Sequence, residues 1–175
     1  IVPLDHILPD EPLLMMGAGP VPIPQRVAAA NSLVINHLGE TMNRVITQVK
    51  DMTRYVFQTS SSHVMAVSGP GSAAMEMAIA NLVTPGSHVL SITNGYFSQR
   101  LAEMARRVRA EVTLLESPPN QSADLEDVER ALQQGKYDVV TLVQGETSNT
   151  VCNKNLEQIA KLAKRYGCLV IVDAV

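Results

Sequence analysis

Short apolar runs alternate with helix-length amphipathic segments over most of the chain, and this alternation constrains the fold more than any other feature. The runs are HVMAV (63–67), HVLSIT (88–93), EVTLLES (111–117), VVTLVQ (139–144) and CLVIVDAV at the end. Each has the length and β-branched content of a strand. Between them the apolar spacing predicts helices over AAMEMAIANL (73–82), residues 98–109, LEDVERALQQ and residues 156–166. Pro85-Gly86 turns the chain, Ser122 and Asp124 can cap a following helix, and Gly135 and Gly167 can end one. Strands and helices in this order form βαβ units, so the expected class is α/β, a mainly parallel sheet with flanking helices.

Upstream the pattern differs. Residues 1–24 hold Pro3, Pro9, Pro12, Pro20, Pro22 and Pro24. Proline fixes φ and removes a donor, so an extended N-terminal arm is expected there. A weak helical spacing runs from Gln25 to about Asn36. A stronger one runs over 40–57, where Met42, Val45, Ile46, Val49, Met52 and Val56 recur at three- and four-residue steps.

Composition removes several function classes. Of the 175 residues 46% are hydrophobic and 18% charged, which suits a globular domain rather than a disordered tail. Fourteen basic against 17 acidic residues offer no surface for nucleic acid or an anionic membrane. No apolar run is long enough to span a bilayer, and IVPLDHILPDEP does not read as a signal peptide. Cys152 and Cys168 fit neither a metal-ligand spacing nor a disulfide framework, so a reducing compartment, the cytoplasm, and no metal are expected. The last run reads as a strand buried on both faces, an unusual place for a chain to stop. A fragment of a longer protein is therefore expected.

In parallel α/β sheets ligands bind beyond the carboxyl ends of the strands. The residues to inspect are then SGPGS, NGYF, GETS and Asp173. Gly69, Gly71 and Ser72 stand between a strand and a helix start, where free N–H groups and the helix dipole attract a phosphate. A tight turn with Ser72 as N-cap is the plainer alternative. The spacing matches neither G-x-G-x-x-G nor the Walker loop, which weakens a nucleotide-binding reading. Phe97, one of two Phe, could stack on a flat ligand or simply pack under the sheet. Thr147 and Ser148 offer hydroxyls, although such residues commonly serve turns. Asp173, at the end of LVIV, needs a partner if buried: a protonated ring nitrogen, a helix end or a metal would each serve. Glu146 and His37 have no partner visible in sequence, and a structural role is expected for both.

Taken together, the blocks LLMMGAGPVPIPQRV, YVFQTSSSHVMAVSGPGSAAMEMAIANLVTPGSHVL, NGYFSQRLAEMA, GETS and LVIVDAV resemble the fold-type I, class V pyridoxal-phosphate aminotransferases. Their order and spacing are similar to those of the alanine–glyoxylate and serine–pyruvate group from about Leu13 to Val175. The resemblance implies an aspartate aminotransferase-like large domain, truncated, with residues 1–24 as an arm, 25–175 as part of the domain and the C-terminal small domain absent. It implies pyridoxal 5′-phosphate, held at its phosphate by Gly71 and Ser72, stacked on Phe97 and packed by Val175 on the other face. Thr147 would bond its phenolic oxygen, Asp173 would keep its ring nitrogen protonated, and Gly19 would line the substrate site. A homodimer is implied, with the arm and the helix near 37–57 facing the partner. The implied reaction moves an amino group from a small amino acid, of alanine or serine type, to a 2-keto acid such as glyoxylate or pyruvate.

The chain also departs from the family pattern. Pro70 replaces a hydroxyl residue near the phosphate, while Thr150 and Arg109 stand where glycine is usual. The lysine that binds the cofactor is expected beyond Val175, since Lys50, Lys136, Lys154, Lys161 and Lys164 do not fit its motif. The 175 residues alone are thus expected to bind cofactor poorly and not to transaminate. Two alternatives stand beside this one. A cysteine desulfurase would need a reactive cysteine at the site, and a non-catalytic α/β protein would act by dimerising with a longer partner.

Overall fold

The computed structural model describes residues 2–3, 6–11, 13–118 and 120–175. It divides into two units, residues 1–66 and 67–175.

In the first unit, helix α1 (Gln25–Asn31) ends well before the expected Asn36, because Ser32 closes it with N and Oγ both donating to Ala29 O, and Leu33 N donates to Ala30 O. Helix α2 (Glu40–Phe57) follows the predicted periodicity and ends at Gln58 in a left-handed conformation. Its apolar positions Val45, Ile46, Val49, Met52 and Val56 are all exposed. His37 is exposed as well.

The expected strand over residues 63–67 is absent. The segment is irregular, with Met65 68% exposed. An apolar run becomes a strand only when a neighbour pairs with its N–H and C=O groups, and among the described residues none does so.

In the second unit, helix α3 (Gly71–Leu82) precedes strand β1 (His88–Thr93), helix α4 (Tyr96–Arg107), strand β2 (Glu111–Glu116) and helix α5 (Leu125–Gln134). Strand β3 (Val139–Val143) leads to a two-residue hairpin, β4 (Gly145–Glu146) and β5 (Val151–Cys152). Helix α6 (Leu156–Arg165) and strand β6 (Leu169–Asp173) complete the chain. The four long strands are parallel in the order β2-β1-β3-β6.

Alternation along the strands sends side chains to two cores. Leu90 and Ile92 of β1 and Val140 and Leu142 of β3 pack with Val128 and Leu132 of α5 and Ile159 and Leu162 of α6. Val89, Val139, Val143 and Ile171 face the opposite side, against Ile79 of α3 and Leu101 and Ala105 of α4. Strand β3 is buried along its whole length, as its unbroken apolar run implies. On one face Ser91 and Thr141 satisfy each other through a hydroxyl pair at 2.8 Å. Asp124 caps α5, its Oδ1 accepting from the backbone N–H of Glu126 at 2.7 Å. No helix among the described residues is long and apolar enough to cross a membrane.

The strand order positions the site. From β1 the chain steps outward to β2, then crosses back to place β3 on the other side of β1. The connections therefore diverge between the carboxyl ends of β1 and β3, which opens a crevice at that point of the sheet edge.

Candidate functional site

A cavity of about 200 Å³ lies at this edge, lined by Gly71, Ser72, Phe97, Thr147, Asp173 and Val175. Met75, Val143 and Gly145 complete its wall. Larger cavities of about 540, 810 and 590 Å³ lie along the outer side of α3 and α4, beside the start of α5 and beside the β4–β5 turn. Only the smaller one gathers the residues that follow β1, β3 and β6 around the start of α3.

Helix α3 begins at Gly71, two residues earlier than the periodicity predicts, and its N-cap is Pro70 rather than Ser72. No side chain caps it and no acidic residue occupies its first turn. Ala73 N donates back to Pro70 O at 2.8 Å, so the helix start presents the N–H groups of Gly71 and Ser72, with the Ser72 hydroxyl beside them. A Cβ at Gly71 would meet nothing within 4 Å, so there is room at this end. Free donors, the positive end of a helix dipole and open space suit a phosphate.

Among the described residues, one acidic side chain lines the cavity. Asp173 ends β6 and is half-buried rather than enclosed, with Oδ1 accepting from Val175 N at 3.2 Å. Val175 itself is 81% exposed. Phe97 lies in the first turn of α4 rather than in the preceding loop, and its ring meets Tyr96 edge-on at 5.3 Å. The donor set therefore fits pyridoxal phosphate: free N–H groups for an anion, a hydroxyl, a carboxylate and apolar side chains share one lining. Gly19 belongs to the first unit, whereas this cavity is built from the second alone. None of the five lysines lines the cavity, nor does either cysteine: Cys152 is exposed elsewhere and Cys168 is buried.

Beneath the cavity lies a group that sequence reasoning left as merely structural. Glu146 is fully buried, and its carboxylate accepts from Phe97 N (3.2 Å), Ser98 N (2.9 Å), Ser98 Oγ (3.0 Å) and Ser148 Oγ (2.6 Å). Burial alone pushes the carboxyl up, but the bonds from Ser148, Ser98 and Phe97 outweigh it and hold it below its ordinary 4.5. The folded-state value is thus the lower one. Its contribution to stability is complete above the unfolded-state value and drains away as pH falls through the folded one. Acid titration of unfolding stability is expected to show this loss in the native protein and a shallower slope in Glu146→Gln. Equal slopes would show that the carboxylate is not held in this way.

Two positions where glycine is usual also gain a physical reading. Arg109 and Thr150 both adopt left-handed φ, 64° and 61°. A side chain there costs about 1–2 kcal/mol relative to glycine, and more for β-branched Thr150.

Comparison with known proteins gives the family. Residues 24–175 match the family profile described as aminotransferase class-V. The chain belongs to that family. It is 39% identical to mouse alanine–glyoxylate aminotransferase over 163 residues, covering 93% of this chain and 39% of the mouse protein. Against (S)-ureidoglycine–glyoxylate transaminase of Bacillus subtilis the identity is 30%, with 92% of this chain and 39% of the other covered. The solved alanine–glyoxylate aminotransferase of Nostoc superposes with a TM-score of 0.86 at 34% identity, covering 98% of this chain and 47% of that one. This class-V chain thus spans about two fifths of the length of the curated relatives it matches. Its sheet is that of the fold-type I aminotransferases, as the resemblance implied.

The cavity residues that sequence reasoning did not name have simple origins. Met75 lies one helical turn after Gly71 and shares its face, a signal legible from spacing. The Glu146 clamp joins segments some 50 residues apart and leaves no local pattern.

Proposed function

We propose that this chain is the cofactor-cradling part of a pyridoxal-phosphate aminotransferase, residues 25–175 belonging to its large domain and 1–24 forming an arm. The observation that carries the reading is the convergence, at the switch point of a parallel sheet, of a bare helix N-terminus, an aromatic ring, a hydroxyl and a carboxylate. Relatives named for alanine–glyoxylate transfer support alanine as donor and glyoxylate as acceptor, while a serine-type donor and a pyruvate acceptor rest on the resemblance in sequence.

In this reading the N–H groups of Gly71 and Ser72 and the Ser72 hydroxyl bind the phosphate. Phe97 and Val175 would pack against the ring. Thr147 donates its hydroxyl to the phenolic oxygen and so fixes the ring's rotation. Asp173 accepts from the ring nitrogen and keeps a proton there by charge pairing. Bound pyridoxal phosphate supplies an electron sink for the charge left when the amino acid loses its Cα proton. Gly19 would line the amino acid's side of the site. The exposed apolar face of α2 and the arm are the proposed contacts with a second copy.

The lysine that holds the cofactor covalently falls outside these residues, so the 175-residue chain is not expected to transaminate. A full-length enzyme should convert alanine or serine with glyoxylate or pyruvate, measured by keto-acid release, while the isolated chain gives none. Turnover by the isolated chain, or no amino transfer by the full-length protein, would contradict the proposal. Neither Cys152 nor Cys168 lines the cavity, so neither of these two would serve a desulfurase reading.

A further inference from the structure

We propose that Glu146 is the positioning residue of this cavity: by capping α4 from the loop after β3, it fixes the Phe97 wall and the Thr147 wall to one another. The inference rests on the assignment of the cavity to pyridoxal phosphate.

Helix α4 starts behind Gly95, which has no side chain with which to cap it. Its first three N–H groups are instead taken by the loop after β3. Tyr96 N donates to Ser148 Oγ at 3.0 Å, Phe97 N to Glu146 Oε1 at 3.2 Å and Ser98 N to Glu146 Oε2 at 2.9 Å. The Ser148 hydroxyl then donates to Glu146 Oε1 at 2.6 Å, which closes the ring. Ser98 Oγ accepts in turn from Asn94 N and Gly95 N, both at 3.0 Å, and so ties the end of β1 to the same cluster.

The consequence follows from sequence neighbours. Thr147 lies between Glu146 and Ser148, and both flanks are pinned to α4. Phe97 lies between Tyr96 and Ser98, and its own N–H and both flanking N–H groups are pinned to the loop. A serine or aspartate N-cap satisfies the start of its own helix but ties nothing to a distant strand. Capping by a residue about fifty positions away satisfies the same donors and sets the separation of the two walls. The buried charge is tolerable because five donors surround it, Ser148 N at 3.4 Å being the fifth. The phosphate end, at the start of α3, has no part in this ring.

That separation yields a test. The variant Glu146→Gln keeps the side-chain length but turns an amide N–H₂ toward one of the donors. Dissociation constants for pyridoxine 5′-phosphate, which lacks the reactive aldehyde, and for inorganic phosphate would be measured on native chain and variant, with amide hydrogen exchange alongside. We expect pyridoxine phosphate to bind roughly 10-fold more weakly while phosphate changes by less than about 2-fold. The Phe97 and Ser98 amides should exchange faster. Ser148→Ala, which removes one donor without stranding a charge, should shift the same readouts in the same direction by about 3-fold, and it decides the matter if Glu146→Gln does not fold. Equal loss for both ligands, or unchanged exchange at Phe97 and Ser98, would overturn the proposal. If the native chain binds phosphate but shows no added affinity for the ring, the cofactor assignment fails. The exchange data alone then judge the clamp.

Discussion

Replacing Gly95 with alanine is expected to destabilise the chain by about 2–4 kcal/mol, since overpacking and a broken charged hydrogen-bond cluster act together. The reason is close approach, not backbone freedom, because φ at Gly95 is 175°, an extended value open to any residue. An added methyl would overlap Cγ of Glu146 and stand 2.5 Å from its Cδ and 2.7 Å from Ser148 Oγ. The Glu146 atoms cannot retreat, since that side chain is buried and held by the bonds that cap α4. The loop would have to swing away from the helix, stranding the N–H groups of Phe97 and Ser98. Urea unfolding of Gly95→Ala against the native chain measures the effect. A loss below about 0.5 kcal/mol, the range of ordinary surface changes, would mean that the loop and helix are not packed as described.

Asp173→Asn is expected to have the largest effect on function. The two side chains are nearly equal in size, so packing at the end of β6 is preserved and only the charge is lost. An amide cannot hold a proton on a pyridine nitrogen by charge pairing. Loss of a charge-assisted hydrogen bond lowers affinity by roughly 10- to 100-fold. In the full-length enzyme, cofactor retention on dialysis should fall by that factor. Transamination should fall at least as far, about 100-fold or more, because a neutral ring withdraws electrons less well. Native turnover in Asp173→Asn would remove this residue from the ring nitrogen. An equal loss of thermal stability in apo protein would point instead to a structural carboxylate.

Much of the fold is legible from local pattern. Helix α5 is marked by Asp124 at one end and Gly135 at the other, and β3 by an apolar run without alternation. The loops that meet at the cavity follow from the strand–helix order, because ligands favour the carboxyl edge of a parallel sheet. What could not be read is non-local. Nothing in VVTLVQ states that it lies beside β1 on the side away from β2, yet that placement opens the crevice. Helices α3 and α4 start two residues early, α4 because its first turn is capped by Glu146 and Ser148 from a distant loop. The run at 63–67 looks like a strand by composition, but strand identity belongs to a pair and no described segment pairs with it. Glu146 reads as an ordinary turn carboxylate until Gly95 and Ser98 are seen beside it.

The central claim is that Gly71, Ser72, Phe97, Thr147 and Asp173 form one ligand site. The most direct measurement adds pyridoxine 5′-phosphate to isotope-labelled chain and follows which backbone amides move. The account predicts that these five residues shift together and saturate with a single affinity. Shifts centred on the outer groove of α3 and α4, or no shift at Phe97, Thr147 and Asp173 while other surfaces respond, would contradict it.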